Sequence, residues 1–466
     1  MKTINHIYIN GQFVIPHGNE LFDLINPTTE ETVAQVQLAD VEDTRLAIAA
    51  AKAAFPMMRS SSREQRMNWL QQLHDAVKSR EVELIDTMVE EYGCMPAFAQ
   101  GTVNHAIDSF MQMRDVLARF PFETRVGNAR VIMEPLGVVG LITPWNGNYG
   151  FIASKLATVV ASGSTAVIKP SELSARQTAL ITECLHAAGL PNGVINIVTG
   201  RGDVVGAEIT RHPDIAKISF TGSTAVGKTI ARGAVDTLKR VTLELGGKSA
   251  NVLLDDVSLE EAIPLALQVM SWNSGQACIA GTRLLVHENR LEEVKAQLRQ
   301  DISLLEPGKN VGTAVTAQQY ERVQAYIRKG IEEGAELLCG GEGRPEGFER
   351  GYYVKPTVFV NVRNDMTIAQ QEIFGPVLSV ITYKDDAEAI AIANDTVYGL
   401  QAYVSGKDVQ RTQAIASQLI AGRVFVNGVY NEPQVPFGGF KQSGIGREFG
   451  SFGLEGYLEP KAIMGQ

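Results

Sequence analysis

Apolar positions between residues 137 and 254 alternate between two spacings. Short runs rich in β-branched residues predict buried strands at 138–143, 165–169, 194–198, 216–220 and 251–254. Amphipathic patterns predict helices at 149–162, 173–188, 202–211 and 224–236. Strands that alternate with helices in this way are typical of βαβ units around a parallel sheet covered on both faces. The pattern therefore predicts an α/β fold with a doubly wound, Rossmann-like layout.

The alternation restarts beyond residue 260 and predicts a second α/β domain. Strands are predicted at 282–286, 378–383, 402–405 and 423–427. Helices are predicted at 290–303, 316–333, 385–394 and 408–419. The last strand-like stretch, 458–463, is predicted as an edge strand, and residues near 117–134 are candidates for the same role. Because an unpaired edge is a liability, we expect it to be buried against another subunit.

Local signals near the N-terminus predict where helices begin. Asp40 and Ser61 are the candidate N-caps, and Glu64 follows Ser61 at the capping-box spacing. The alanine-rich stretch at 47–55 continues a helix toward Pro56.

Charge and cysteine content narrow the function classes. The 466 residues include 42 Lys plus Arg and 52 Asp plus Glu, for a net charge of −10, which argues against a nucleic-acid or anionic-membrane surface. The four cysteines form no CxxC pair, and so few thiols in a long chain are typical of a reduced, cytoplasmic protein. The N-terminal segment has no continuous apolar run, and no run is long enough to span a membrane, so neither a secretory signal nor a membrane anchor is expected.

Cys278 is the candidate nucleophile because it ends the small, polar segment Asn-Ser-Gly-Gln-Ala-Cys. A thiol among small residues near a glycine is accessible, whereas structural cysteines lie in apolar runs, as Cys184 does. A free thiol is mostly protonated at neutral pH, so a catalytic one needs a base, a positive charge or backbone donors. The local sequence favours this role, but spacing alone leaves a structural role open.

Glu244 and Asn146 are the candidate general base and oxyanion donor. Glu244 lies between leucines and precedes two glycines, and apolar neighbours raise the pKa of a carboxyl group toward neutrality. Asn146 follows a predicted strand and precedes a predicted helix, at the sheet edge where such folds bind ligands. A boundary turn with a salt bridge and an ordinary turn asparagine are the alternatives that the local patterns leave open.

Three further segments have the chemistry of a dinucleotide site. Lys169, Ser171 and Glu172 end a predicted strand, where a carboxylate can accept hydrogen bonds from ribose hydroxyls. Gly222 and Ser223 open a predicted helix, whose N-terminal N–H groups can bind a pyrophosphate. A third segment offers a carboxylate and an aromatic ring for a nicotinamide riboside, namely Glu372 and Phe374. The histidines show no metal-ligand spacing, so no metal is expected and an organic cofactor must accept the electrons.

Taken together and in order, these segments resemble the aldehyde dehydrogenase superfamily over nearly the whole chain. The matching motifs are PWN, KPSE, FTGS, ELGGK, GQxC, EIFGP and PFGG. The 34-residue separation of Glu244 from Cys278 is also similar to the family's.

The resemblance implies an NAD-dependent, hydrolytic aldehyde dehydrogenase, with NADP the less favoured cofactor. It implies that Cys278 is the nucleophile, Glu244 the general base and Asn146 the oxyanion donor. Cofactor contacts are implied for Trp145, Lys155, Lys169, Ser171, Glu172, Gly222, Ser223, Glu372 and Phe374. It further implies a homodimer or homotetramer with three parts: a Rossmann-like cofactor domain (1–116 and 135–245), a second α/β catalytic domain (246–445) and a small β oligomerisation element (117–134 and 446–466).

Departures from the family's pattern bear on the substrate. Gly147 and Ser154 stand where many members have bulky residues along the substrate tunnel, which predicts a wider entrance. Tyr430, Asn431 and Glu432 are candidates for lining the tunnel, where Glu432 would favour a neutral or cationic aldehyde. The segment at 304–312 is shorter than usual, and we expect little catalytic effect because it is distant in sequence from the motifs.

Two rival functions are compatible with parts of the sequence. In the first, coenzyme A rather than water accepts the acyl group, and Glu244 argues against this because a water-activating base is then unnecessary. In the second, the fold is kept by a binding or structural protein without turnover. The intact set of nucleophile, base and oxyanion donor argues against this alternative.

Overall fold

The computed structural model describes residues 2–465. In that range the strands are β1 (Lys2–Ile4), β2 (Ile7–Ile9), β3 (Gln12–Val14), β4 (Leu21–Ile25), β5 (Thr32–Gln37), β6 (Glu123–Val126), β7 (Ala129–Pro135), β8 (Val138–Ile142), β9 (Thr165–Lys169), β10 (Ile195–Ile197), β11 (Ile215–Thr221), β12 (Arg240–Glu244), β13 (Ala250–Leu253), β14 (Arg283–His287), β15 (Glu336–Cys339), β16 (Thr357–Val360), β17 (Val377–Tyr383), β18 (Gln401–Ser405), β19 (Arg423–Val426), β20 (Gly444–Ile445) and β21 (Leu458–Ile463).

The α-helices are α1 (Val41–Ser60), α2 (Arg63–Lys78), α3 (Glu81–Tyr92), α4 (Pro96–Arg119), α5 (Asn148–Ser162), α6 (Ala175–Ala187), α7 (Ala207–Arg211), α8 (Thr224–Val235), α9 (Leu259–Ser271), α10 (Leu291–Asp301), α11 (Ala317–Glu332), α12 (Thr367–Gln370), α13 (Asp386–Asn394), α14 (Val409–Ala416) and α15 (Gly450–Glu455). Among the described residues, none of these helices combines the length and apolar character that a membrane span requires.

The first large sheet has the order β20-β12-β11-β8-β9-β10-β2-β3. Its central strands, from β12 to β10, are parallel, and the strands at both edges are antiparallel. Helices cover both faces, with α4, α5 and α6 packed on one side and α1, α7 and α8 on the other. The predicted doubly wound layout is therefore confirmed, with antiparallel edges added to it.

The second large sheet has the order β15-β16-β17-β14-β13-β18-β19 and is parallel except for β15. Strand β13 was predicted as the next strand of the first series, but it lies in the middle of this second sheet. The strand that follows β11 in the first sheet is β12, which the apolar pattern did not predict. The chain crosses between the two sheets at Gly246 and Gly247, directly after Glu244. The predicted second α/β unit is confirmed.

A small antiparallel sheet has the order β21-β7-β6. The predicted edge strand at 458–463 is confirmed as β21, and its residues from Glu459 to Ile463 are exposed. Residues 117–119 still belong to α4, and strands occupy most of the remainder of the 117–134 segment.

The two predicted helix starts have different outcomes. Asp40 caps α1 through hydrogen bonds from the N–H groups of Glu42 and Asp43, which confirms the prediction. The prediction for Ser61 is wrong, because α1 continues through Pro56 to Ser60 and Ser61 follows its end. Ser62 caps α2 instead, in a capping box with Gln65.

Candidate active site

One cavity of about 190 Å³ brings together most of the predicted site residues. It lies where β8 and β11 are neighbours, and from this pair the chain continues outward in opposite directions, to β9 and β10 and to β12. Ligands of open α/β sheets bind at such a switch point, at the carboxyl ends of the strands. The lining includes Cys278, Glu244, Asn146, Trp145, Gly222, Ser223, Glu372 and Phe374.

A strained loop presents Cys278 to this cavity. Asn273, Ser274 and Gly275 all have positive φ, at 51°, 57° and 75°, which is costly for the two residues that have a Cβ. Gly275 also packs against the backbone of Gly375, where a Cβ would not fit. The loop therefore needs contacts that hold it in this conformation.

The short 304–312 segment ends in such a contact. The Gly312 N–H donates a hydrogen bond to Ser274 Oγ at 2.7 Å. The Gln276 side chain donates to the Thr313 carbonyl at 2.9 Å and accepts from the Val315 N–H at 2.9 Å. The segment is distant from the motifs in sequence, but chain folding brings its end against the residues that precede Cys278. The expectation of little catalytic effect stays a prediction.

Asn146 is bound to the same loop. Its Nδ2 donates to the Gln276 carbonyl at 2.9 Å, and its own carbonyl accepts from Asn273 Nδ2 at 3.2 Å. Asn273 Nδ2 also donates to the Tyr92 hydroxyl at 2.8 Å. These bonds fix which way the Asn146 amide faces and leave one of its two N–H groups for a ligand.

Burial is the largest cause of the raised pKa values of Cys278 and Glu244. It raises the pKa of the Cys278 thiol to about 12, and the Glu372 and Glu244 charges add to this effect. Burial also raises the pKa of Glu244 well above its usual value, with the Glu448 charge as the next cause. Neither carboxylate oxygen of Glu244 has a hydrogen-bond partner within residues 2–465. A buried, unpaired carboxyl group of this kind is suited to exchange a proton with a ligand or a water molecule.

Glu372 and Phe374 form the wall opposite the first sheet. Glu372 accepts a hydrogen bond from the Gly247 N–H at 3.1 Å, and burial raises the pKa of its carboxyl group to about 7. A Cβ on Gly246 would lie 2.5 Å from the same carboxylate, so glycine is needed at that position. The Phe374 ring packs edge-on against Trp145 with a centroid distance of 5.6 Å.

The predicted ribose contacts at the end of β9 lie outside the cavity but at the same sheet edge. Lys169 and Phe220 are both paired with Ile142, from opposite sides, which separates them by about 10 Å. Glu172 lies 3.3 Å from the Lys169 ammonium, and Ser171 Oγ accepts a hydrogen bond from the Leu173 N–H. An extended ligand bound along this edge can contact the residues at the end of β9 as well as those that line the cavity.

Lys155 does not line the Cys278 cavity. Its ammonium is buried, forms an ion pair with Glu448 and donates to Ser219 Oγ at 2.9 Å. Glu448 also accepts from Ser219 at 3.0 Å and raises the pKa of Glu244. Glu448 was not predicted from the sequence, because it is distant in the chain from Lys155, Ser219 and Glu244 and comes near them only in the folded protein.

Two of the residues predicted to line the substrate tunnel do not line the Cys278 cavity. Tyr430 and Glu432 line a separate cavity together with Arg423, and neither is part of the Cys278 cavity. Arg423 itself donates to the carbonyls of Pro436 and Val435.

Comparisons with known proteins show the family to which the chain belongs. The aldehyde dehydrogenase family model matches residues 13–463. A 3-succinoylsemialdehyde-pyridine dehydrogenase from a Pseudomonas species is 42% identical over 477 residues, which cover 100% of this chain and 99% of that protein.

Solved structures of aldehyde dehydrogenases are also similar to this chain over nearly its whole length. A cysteine-to-alanine mutant of aldehyde dehydrogenase C from Pseudomonas syringae, in complex with NAD+ and octanal, is 43% identical with a TM-score of 0.97, covering 99% of this chain and 96% of that one. The NAD+ complex of an aldehyde dehydrogenase from Bacillus cereus is 37% identical with a TM-score of 0.95, covering 99% and 96%. The chain therefore belongs to the aldehyde dehydrogenase family.

Proposed function

We propose that this enzyme oxidises an aldehyde to a carboxylic acid with reduction of NAD, through a covalent intermediate on Cys278. The observation that supports this most directly is the shared cavity of the Cys278 sulfur, the Glu244 carboxylate and the Asn146 amide. The relative crystallised with octanal and NAD+ is a cysteine-to-alanine mutant, which fits a cysteine that reacts with the aldehyde.

The cavity and the adjoining edge of the first sheet offer polar and aromatic groups suited to a dinucleotide. The helix α8 begins with Ser223 as its N-cap, and Ser223 and Gly222 both line the cavity, which places the N–H groups of the first turn near a bound pyrophosphate. Glu372 is proposed to bind the ribose next to the nicotinamide, and Phe374 and Trp145 to flank the ring. Lys169, Ser171 and Glu172 are proposed to bind the adenosine ribose. Lys155 remains a predicted contact, although its ammonium is already paired with Glu448. When bound, NAD supplies the hydride acceptor.

The residues of the chain act on the aldehyde in sequence. Cys278 gives up its thiol proton to Glu244, the sulfur forms a bond to the carbonyl carbon, and the carbonyl oxygen becomes negative. Glu244 passes this proton to solvent before the hydrolytic step. The free N–H of Asn146 and the Cys278 backbone N–H stabilise that oxygen, which makes the thiohemiacetal a far better hydride donor than a free aldehyde. After oxidation to the thioester, Glu244 takes a proton from water, the water attacks the acyl carbon, and the thiol leaves.

The proposed architecture assigns residues 1–116 and 135–245 to cofactor binding, 246–445 to catalysis, and 117–134 with 446–466 to oligomerisation. The exposed strand β21 supports the last assignment, because an uncovered edge favours pairing with a second copy in a homodimer or homotetramer. The four cysteines are free thiols, which fits the proposed cytoplasmic location.

An assay of NADH formation over a panel of aldehydes tests this function. Wild type is expected to form NADH and free acid without coenzyme A, with a preference for NAD over NADP, and Cys278→Ala is expected to lose turnover. Cys184→Ala is the matched control, because Cys184 is buried on α6 away from the cavity. Turnover near the wild-type rate in Cys278→Ala, or acid release that depends on coenzyme A, would contradict the proposal.

A further inference from the structure

A small cavity lies at the edge of the second large sheet where β13, β14 and β18 begin. Its volume is about 10 Å³, and its lining includes Lys248, Arg283, Thr396 and Tyr398. A cavity of this volume has room for one water-sized species. Thr396 and Tyr398 are only half-buried, so a small solute can reach the cavity past the loop that contains them.

The lining includes a buried ammonium group without a partner. Lys248 is 2% exposed, and its Nζ has no hydrogen-bond partner within residues 2–465. Burial lowers the pKa of Lys248 to about 7, and the charge of Arg283 is the next cause. Buried polar groups are nearly always paired, and a buried charge is costly without a counter-charge. The ammonium therefore requires a partner from outside the chain.

Arg283 brings a second buried cation to the same cavity. Its side chain is 1% exposed, and the guanidinium donates to the carbonyls of Lys248, Ile392 and Ala393. It also donates to Asn364 Oδ1 at 3.3 Å. All four acceptors are neutral, and together they use four of the five N–H groups of a guanidinium. Arg283 therefore keeps its positive charge and has one N–H, on Nη2, for a ligand.

Carboxylates near the cavity do not contact these cations. Glu372 affects Lys248, and Asp395 affects Arg283, only through their charges, since neither carboxylate forms an ion pair with either cation in the part of the chain that the structure describes. Lys441 adds a third cation, because its ammonium donates to carbonyls of the loop that borders the cavity. The balance of charge around the cavity is therefore positive.

We propose that this cavity binds a small monovalent anion, with chloride as the ligand, between the Lys248 ammonium and the remaining N–H of Arg283. The cavity volume excludes polyatomic anions such as sulfate. Chloride is only slightly larger than water, and the flexible Lys248 side chain can move to admit it. A water molecule would accept hydrogen bonds but would leave both buried cations without a counter-charge.

The anion site lies next to the wall of the Cys278 cavity but is separate from it. Lys248 directly follows Gly247, whose N–H donates to Glu372 in that wall. Neither Lys248 nor Arg283 lines the Cys278 cavity. Anion binding here does not depend on the proposed aldehyde oxidation, and it can be measured without turnover.

Crystals of the wild-type enzyme grown in sodium chloride test the site directly. Long-wavelength anomalous diffraction is expected to show a chloride peak in the cavity, in contact with Lys248 Nζ and Arg283 Nη2. A cavity with no anomalous peak, whether it is empty or contains a water molecule, would overturn the proposal.

Thermal unfolding tests the site in solution, in sodium chloride and in sodium gluconate at equal ionic strength. Gluconate is too large for the cavity, and an anion that binds only the folded protein raises its Tm. Lys248→Met keeps the length of the side chain without its charge. We expect the difference in Tm between the two salts to be about 2 °C larger in wild type than in Lys248→Met. The comparison between variants removes the general effects of the two salts on unfolding.

Lys239→Met is the matched control for this experiment. Lys239 is also buried, but its ammonium donates to the His212 carbonyl and the Thr237 hydroxyl and does not line the cavity. The control is expected to show the same difference between the two salts as wild type. An equal difference in wild type and Lys248→Met, or a loss in Lys239→Met as large as that in Lys248→Met, would overturn the site.

Discussion

Gly275, three residues before Cys278, packs directly on Gly375, the residue after Phe374. A Cβ on Gly275 would lie 2.2 Å from the Gly375 carbonyl carbon, and the φ of Gly275 is 75°. This contact joins the loop that leads to Cys278, the proposed nucleophile, to the loop that contains Glu372 and Phe374. The distance between Cys278 and the proposed nicotinamide contacts therefore depends on Gly275 having no Cβ.

Gly275→Ala is expected to displace both loops. The left-handed backbone and the steric overlap together cost about 2–4 kcal/mol. We expect a lower Tm and a loss of kcat/KM of at least an order of magnitude, measured by thermal unfolding and NADH formation. Gly101→Ala is the matched control, because Gly101 lies on α4 with no atom near its missing Cβ. A Gly275→Ala enzyme with wild-type Tm and activity would show that the contact is not required.

Asn146→Ala is expected to lower kcat on the order of 100- to 1000-fold, because one of the two proposed oxyanion donors is lost. KM should change little, since the donor acts mainly on the negative oxygen that forms during the reaction. Steady-state kinetics with one aldehyde and saturating NAD measure both constants. Asn104→Ala, an exposed position on α4, is the control. A rise in KM at unchanged kcat would assign Asn146 to substrate binding instead.

Local patterning could predict the strands and helices that position these groups, because burial on two faces produces continuous apolar strands. It could not predict that β13 belongs to the second sheet, since Gly246 and Gly247 allow the crossing without altering the apolar pattern. The order of motifs predicted Cys278, Glu244 and Asn146 as the catalytic residues, and all three line one cavity. Sequence spacing does not reveal the long-range contacts that hold the Cys278 loop and Lys155 in place. These contacts are made by Gly312, Gln276 and Glu448.

Glu172→Gln is expected to weaken the proposed preference for NAD over NADP. The carboxylate of Glu172 is partly exposed at the end of β9, and its charge would repel a ribose 2′-phosphate. Removal of that charge should raise kcat/KM for NADP on the order of 10-fold. Kinetics with both cofactors measure this ratio, and Glu64→Gln, an exposed change on α2, is the control. If the ratio of the kcat/KM values for NAD and NADP did not change, Glu172 would not determine the cofactor preference.

Glu448→Gln is expected to move the acid limb of kcat to lower pH. In its proposed role as general base, Glu244 must be deprotonated, and because its pKa is raised, activity is expected to be lost as the pH falls through that pKa. The Glu448 charge contributes to the raised pKa of Glu244, and its removal also leaves the positive charge of Lys155 unpaired nearby. Both changes favour the Glu244 carboxylate, so both lower its pKa. The measurement is the pH dependence of kcat for wild type, Glu448→Gln and the exposed control Glu455→Gln on α15. If the limb stayed in place or moved to higher pH, Glu448 would not act on the base through its charge, and another group would have to hold the pKa of Glu244 high.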